Sequence, residues 1–328
     1  MKKRFLTLTL TAALMAVLLA GCGAQEQETV DFTTLEEPGA TVDLGALLDE
    51  AVPLAGAPVG NVLTTTAPGT QVEENSSALV DYSNAKDGYV MVKWLAGGSD
   101  RVKVLIKGPS GTTYQYNLNL NGSYEAFPLS DGSGAYTVGV YKNTSGTQYA
   151  TILNASVNAA LTDEFGPFLR PNQYVNYSAG SATVSKAAEL CAGASDNLKK
   201  VEQVYSYVVD NVTYDKQKAE TVTSGYIPNV DQTLSTGKGI CFDYAALMAA
   251  MLRSQGVPIK QVVGYTGSAY HAWLSVYSEK DGWVEGKIYF DGKEWKLMDP
   301  TFASTANSSD SVMEYIGNGA NYSAKYLY

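Results

Sequence analysis

The hydrophobic period of this chain changes near Leu161, and that change limits what it can fold into. From 79 to 159, apolar and polar residues alternate in short runs. Over 101–107 the sequence reads R-V-K-V-L-I-K, and over 113–120 Tyr114, Tyr116, Leu118 and Leu120 take every second place. Pro109-Ser110-Gly111 and Asp131-Gly132-Ser133-Gly134 supply turns, and further strands are expected at 89–94, 135–141 and 149–157. Period-two runs of this length, separated by glycine turns, build antiparallel sheets. The expectation for 79–160 is an all-β, immunoglobulin-like sandwich domain. It holds no His, no Cys and no acidic cluster of metal-ligand type, so it is read as a spacer or recognition module.

Beyond Leu161 the spacing becomes three and four. Asp196 is placed to cap a helix on which Leu198, Val201, Val204, Tyr205 and Val208 share one face. A shorter helix is expected at 181–192, carrying Cys191 as a buried small hydrophobe. Another starts at Cys241 and runs to Ser254, with Ala245, Met248, Met251 and Leu252 on one side, and Gly256-Val257-Pro258 ends it. From Lys260 the pattern returns to strands, at 261–265, 271–277, 287–290 and 295–298. Residues 161–328 are therefore expected to form an α+β domain.

The N-terminus is of a different kind. Met1 to Arg4 is basic, the next 16 residues are almost all apolar, and Leu19-Ala20-Gly21 closes the run with small residues before Cys22. About 20 apolar residues are needed to cross roughly 30 Å of hydrocarbon, so the run is short for a membrane helix. It resembles a bacterial lipoprotein signal over 1–21, cleaved before a lipidated Cys22. Residues 22–78, acidic and rich in Thr, Ala, Gly and Pro, are expected to be a flexible tether. The expected place is the outer face of a bacterial cell membrane, lipid-anchored. The formal charge of −10 becomes −13 without Lys2, Lys3 and Arg4. An acidic body of this kind excludes nucleic acid as a partner, because phosphate binding needs clustered Lys and Arg. It also excludes electrostatic adhesion to anionic lipid.

The chemistry-bearing residues are few. With Cys22 assigned to lipid, only Cys191 and Cys241 remain of three cysteines, and a disulfide between them stays open at this point. Cys241 stands at a helix N-terminus, near the positive end of the macrodipole, which favours the nucleophilic thiolate. Its own N–H can face a developing oxyanion. The Gly237-Lys238-Gly239-Ile240 stretch before it reads as a flexible approach. His271 is the chain's single histidine. A lone histidine is more commonly a hydrogen-bonded core residue, but here it is the one base a cysteine nucleophile could use. Asp299 could orient it through the far ring nitrogen, or could cap a turn before Pro300.

G-K-G-I-C-F-D-Y-A-A-L-M-A-A-M-L-R-S-Q-G-V-P over 237–258, then V-G-Y at 263–265, H-A-W at 271–273 and M-D-P-T at 298–301, occur in that order. With V-T-Y-D at 212–215 upstream, these blocks resemble the transglutaminase-like superfamily over about 168–300. The resemblance implies a papain-related core, with the cysteine helix packed on an antiparallel sheet bearing the His and Asp. It implies Cys241 as nucleophile, His271 as base and acid, and Asp299 as orienter. In animal transglutaminases a tryptophan before the nucleophile helps bind the oxyanion. Here Trp94, Trp273, Trp283 and Trp295 all lie elsewhere, so the second oxyanion donor stays unassigned, with Tyr214 a candidate. Asp243, Tyr244 and Trp273 are candidates for shaping the pocket. No calcium-binding loop is legible, so no metal and no cofactor is expected.

The implied function is acyl transfer from an amide through a thioester on Cys241. Hydrolysis, as in a protease or amidase, is favoured over transfer to an amine, because water is abundant at a cell surface. The expected substrate is a peptide or protein, with cell-wall peptides among the classes that location admits. A non-catalytic binding or scaffold lipoprotein is the alternative of another class.

Overall fold

The computed structural model describes residues 29–31, 62–267, 269–278, 282–284, 289–290, 295–296, 301 and 321–328. Cys22 and Asp299 lie outside the described residues, as does most of the expected signal and tether.

The N-terminal region is built from strands β1 (Thr29–Asp31), β2 (Val72–Glu74), β3 (Ala78–Asp81), β4 (Tyr89–Trp94), β5 (Val102–Lys107), β6 (Thr113–Asn117), β7 (Glu125–Pro128), β8 (Gly134–Ser145) and β9 (Gln148–Ala159). They form two antiparallel sheets, ordered β1-β9-β8-β5-β6 and β2-β3-β4-β7. The alternation read from sequence works as expected. Val104 and Ile106 on β5 and Val138 and Val140 on β8 point inward and are fully buried, together with Val80 and Val92 of the other sheet. Two segments of the expected tether are strands instead. Thr29–Asp31 pairs along β9, with Val30 opposite Tyr149, and Val72–Glu74 pairs with β3. Three-residue edge strands have too few side chains to show a period, so pattern reading passes over them.

The C-terminal half comprises α1 (Ala182–Leu190), α2 (Asn197–Asn211), β10 (Thr213–Tyr214), α3 (Lys216–Thr221), α4 (Val230–Thr236), β11 (Lys238–Gly239) and α5 (Cys241–Ser254). The strands β12 (Ile259–Thr266), β13 (Ala269–Ser278), β14 (Gly282–Val284), β15 (Tyr289–Phe290), β16 (Trp295–Lys296) and β17 (Tyr322–Leu327) follow. An antiparallel sheet ordered β14-β13-β12-β17 lies against α5. β16 pairs with β15 in a separate two-stranded sheet, rather than with the strand of His271.

Helix α5 is the centre of this half. Every residue from Phe242 to Ser254 is buried, not only the expected stripe, because α1, α2 and α4 close on the face that the sheet leaves open. A helix buried all round is an interior element. Asp196 caps α2 as expected, its carboxylate accepting from Lys199 N–H at 2.9 Å. The cap of α1 is long-range: Asp231 of α4 accepts from Thr183 N–H at 2.8 Å.

The two halves share one hydrophobic cluster. At their junction Tyr116 stacks on Tyr174 with centroids 5.6 Å apart, and Tyr328 meets the rings of Tyr114, Tyr116 and Tyr174. Arg253, at the end of α5, is buried, and its guanidinium donates to the carbonyls of Arg170, Ile259 and Tyr328 at 2.6–3.1 Å. Burial lowers its pKa to about 10, so it stays charged at neutral pH.

Candidate active site

The site is built around the first turn of α5. Helix α4 ends at Gly237, whose left-handed backbone (φ 59°) turns the chain back, and a Cβ there would sit 2.8 Å from the carbonyl oxygen of Asn211. The chain then pairs in parallel with β10, setting Tyr214 opposite Gly239. The bonds from Thr213 N–H to Gly237 O (2.8 Å) and from Asp215 N–H to Gly239 O (2.9 Å) hold this register. A Cβ on Gly239 would lie 2.6 Å from the Cβ of Asp243. The glycines before Cys241 therefore permit close approach and a left-handed turn. This corrects the reading of that stretch as a flexible lead-in.

Cys241 is the first residue of α5 and is half-buried. Cys191 is buried, and both thiols are free, which closes the question of a disulfide between them. Burial pushes the Cys191 thiol up, in keeping with an inert role. His271 is buried near the start of β13, opposite Gly264 of β12, with its ring stacked on Trp273 at a centroid distance of 6.2 Å. Cys241 and His271 line the same cavity, of about 190 Å³, and Tyr214 lines it too. Burial, and then the charge of Cys241, raise the pKa of Tyr214, so its hydroxyl is a proton donor at neutral pH.

Asp243 does not line the cavity. It is fully buried behind the nucleophile's turn, where its carboxylate accepts from Ile240 N–H at 2.8 Å and from the Lys218 ammonium at 2.7 Å. Tyr226 O–H donates to it as well. Lys218 also lies over the Tyr226 ring, 4.2 Å from its centroid. Burial and the Asp243 charge both push the Tyr226 hydroxyl up, so it remains a donor. Tyr244, expected at the pocket, instead reaches into the core and donates to Val212 O at 2.7 Å. Trp273 is buried beside His271 and Tyr322 and is not among the lining residues.

Several lining residues escaped the sequence reading. Ala219 and Val222 from the α3 segment, Tyr226 beyond it, and Phe242, Val263 and Tyr270 complete the wall. The short α3 and the loop after it carry no apolar period, so nothing local marks them as part of a site. Among the described residues no group of His, Cys, Asp and Glu is arranged to hold a metal ion.

Residues 184–300 match the family model described as the transglutaminase-like superfamily. A stretch of 113 residues, 27% of the chain, is 30% identical to the uncharacterized protein YebA of Bacillus subtilis (strain 168). The match spans only 14% of that protein's length. Among solved structures, a candidate cysteine protease from Cytophaga hutchinsonii is 17% identical, with a TM-score of 0.34, covering 65% of this chain and 74% of that one. A red sea bream transglutaminase is 11% identical, with a TM-score of 0.28, covering 70% of this chain and 53% of that one. Helix α5 and the strands β12, β13 and β14 beside it fall within one recognised unit: residues 184–300 form a domain of the transglutaminase-like superfamily.

Proposed function

We propose that the chain is a cysteine-dependent acyl-transfer enzyme acting on amide or peptide bonds, with hydrolysis as its main outcome. The observation that carries this reading is that Cys241, at the start of α5, and the chain's single histidine line one cavity. The Cys241 sulfur attacks the amide carbonyl carbon, forming the C–S bond as the C=O π pair moves to oxygen. The N–H of Cys241 and the protonated hydroxyl of Tyr214 receive that oxyanion. Its collapse breaks the C–N bond, and His271 passes the proton it took from the thiol to the leaving amine. His271 then takes a proton from water, the hydroxide attacks the thioester, and the carboxylic acid leaves as the thiolate is restored. Asp299 is the group proposed to hold the far ring nitrogen. The same reading makes Cys22 a lipidated residue that holds the enzyme at the outer face of a bacterial membrane. Incorporation of radiolabelled palmitate that disappears in Cys22→Ser tests that part.

The central test is alkylation of the full chain by iodoacetamide from pH 5 to 9, with the labelled cysteine mapped by mass spectrometry. Labelling of Cys241 at neutral pH is expected to slow by about tenfold or more in His271→Ala, in line with the ~10²–10⁴-fold worth of a positioned acid–base group. Equal rates in the two proteins would sink the Cys–His pairing.

A further inference from the structure

We infer that the cavity at Cys241 is the pocket for one uncharged, apolar side chain on the acyl side of the bond that is cut. This inference rests on the cysteine-enzyme reading and names its substrate class. The wall next to the thiol is hydrocarbon: Ile240 and Phe242 flank Cys241, Ala219 and Val222 come from the α3 segment, and Val263 comes from the sheet. The two charges behind the Tyr226 ring are paired with each other, Lys218 and Asp243 standing 2.7 Å apart with the carboxylate fully buried. The hydroxyl of Tyr226 is turned onto the same carboxylate, so its ring is what it contributes to the wall.

Size narrows the class further. The cavity measures about 190 Å³. An apolar cavity of about 150 Å³ accommodates a benzene-sized molecule. One leucine or phenylalanine side chain therefore fits. A carboxylate or ammonium placed against the Ile240, Val222 and Val263 part of the wall would lose its hydration to hydrocarbon, since the polar atoms of the lining are those of Tyr214, Tyr226, Tyr270 and His271. A glutamine carboxamide would suffer the same loss in milder form. Cell-wall peptides that present a charged side chain at the attacked residue are disfavoured on this ground.

The test uses N-acetyl-aminoacyl chloromethyl ketones bearing Leu, Phe, Gln, Glu or Lys side chains, with the alkylation rate of Cys241 in the full chain read by mass spectrometry. Leu and Phe reagents are expected to react at least ~100-fold faster than Glu and Lys, the scale on which pockets discriminate ill-matched groups. Val222→Asp should erase that preference while the chain keeps its wild-type melting temperature. A Gln, Glu or Lys reagent that reacts as fast as Leu would overturn the inference. If no reagent alkylates Cys241, the cysteine-enzyme reading falls, and the pocket is then judged on Cys241→Ser by ligand-observed NMR with N-acetyl-amino-acid amides. Preferential binding of the Leu and Phe amides, lost in Val222→Asp, would uphold the apolar pocket. Binding without preference, or none, would refute it.

Discussion

At the scale of single residues, the first turn of α5 asks one segment to do two jobs. Cys241 faces the cavity, while Asp243, two positions on, faces away and ties the turn to α3. A buried carboxylate is tolerable only because Ile240 N–H, Tyr226 O–H and Lys218 together take up its lone pairs. Removing the charge should therefore cost stability through Lys218. Asp243→Asn is expected to lose about 1–3 kcal/mol, below the ~3–5 of a fully buried pair because Lys218 keeps partial solvent access. In a cycle with Lys218→Met, followed by urea unfolding, the two changes should couple by at least about 1 kcal/mol. Additive effects would mean that the ion pair contributes nothing beyond its separate members. Of the residues singled out from sequence, Cys241, His271 and Tyr214 meet at the cavity, whereas Tyr244 and Trp273 do not line it. The difference is geometric. Residue type identified chemically able groups, but the direction of each side chain depends on its place in a helical turn or a pleat.

At the scale of elements, the β12–β13 pair shows how a glycine can serve a histidine two strands' width from the chain end. Gly264 lies opposite His271, at an irregularity in the pairing of β12 with β17. A Cβ at Gly264 would stand 2.0 Å from Ser323 O and 2.9 Å from the Trp273 ring. That space lets the indole lie against the strand and stack on the imidazole. Gly264→Ala should force β17 or Trp273 to move, costing about 3 kcal/mol, as overpacking does. The check is a thermal melt together with the aromatic circular dichroism of the tryptophans. An unchanged melting temperature and spectrum would show that the strands yield without strain. The G in V-G-Y and the W in H-A-W are thus linked by contact, a link invisible in the linear order. Helices α2 and α5 were legible because their apolar spacing and caps are local. The elements β1, β2, α3, α4, β10 and β11 were not, since each is too short to display a period, and β1, β10 and β11 are held by strands distant in sequence.

At the scale of the molecule, one core runs through both halves, and Arg253 reports on their junction. Arg253 serves three carbonyls, those of Arg170 in the linker, Ile259 in β12 and Tyr328 just after β17. Arg253→Met leaves those acceptors unpaired in the interior, and a loss of about 3–5 kcal/mol is expected in denaturant unfolding. A loss below 1 kcal/mol would mean that water replaces the guanidinium there. Lys103 is buried on β5 beside the Tyr149 ring, and burial lowers its pKa from 10.5 to about 8. The unfolded chain then binds more protons than the folded one between pH 8 and 10.5, so this residue's penalty is full below pH 8 and fades as pH rises. Lys103→Met should accordingly stabilise the protein at pH 7, by about 2 kcal/mol, and much less at pH 10. Thermal melts at both values would decide it; a gain that does not shrink with pH would refute the linkage. The comparison has to stop near pH 10, because Tyr116, Tyr174 and Tyr328 have raised pKa values and favour the folded state progressively less above that range.

What the sequence by itself determined is whatever neighbours in the chain can decide. The change of period near Leu161, the cap at Asp196, the start of a helix at Cys241 and the ordered blocks of a transglutaminase-like domain are all local in this sense. Tertiary structure alone decided that Cys241 and His271 share a cavity, that Asp243 is paired off behind it, and that α3 supplies part of its wall. The physical reason is that those relations join residues tens of positions apart. Such contacts form only when the burial of α5 between helices and sheet draws the segments together.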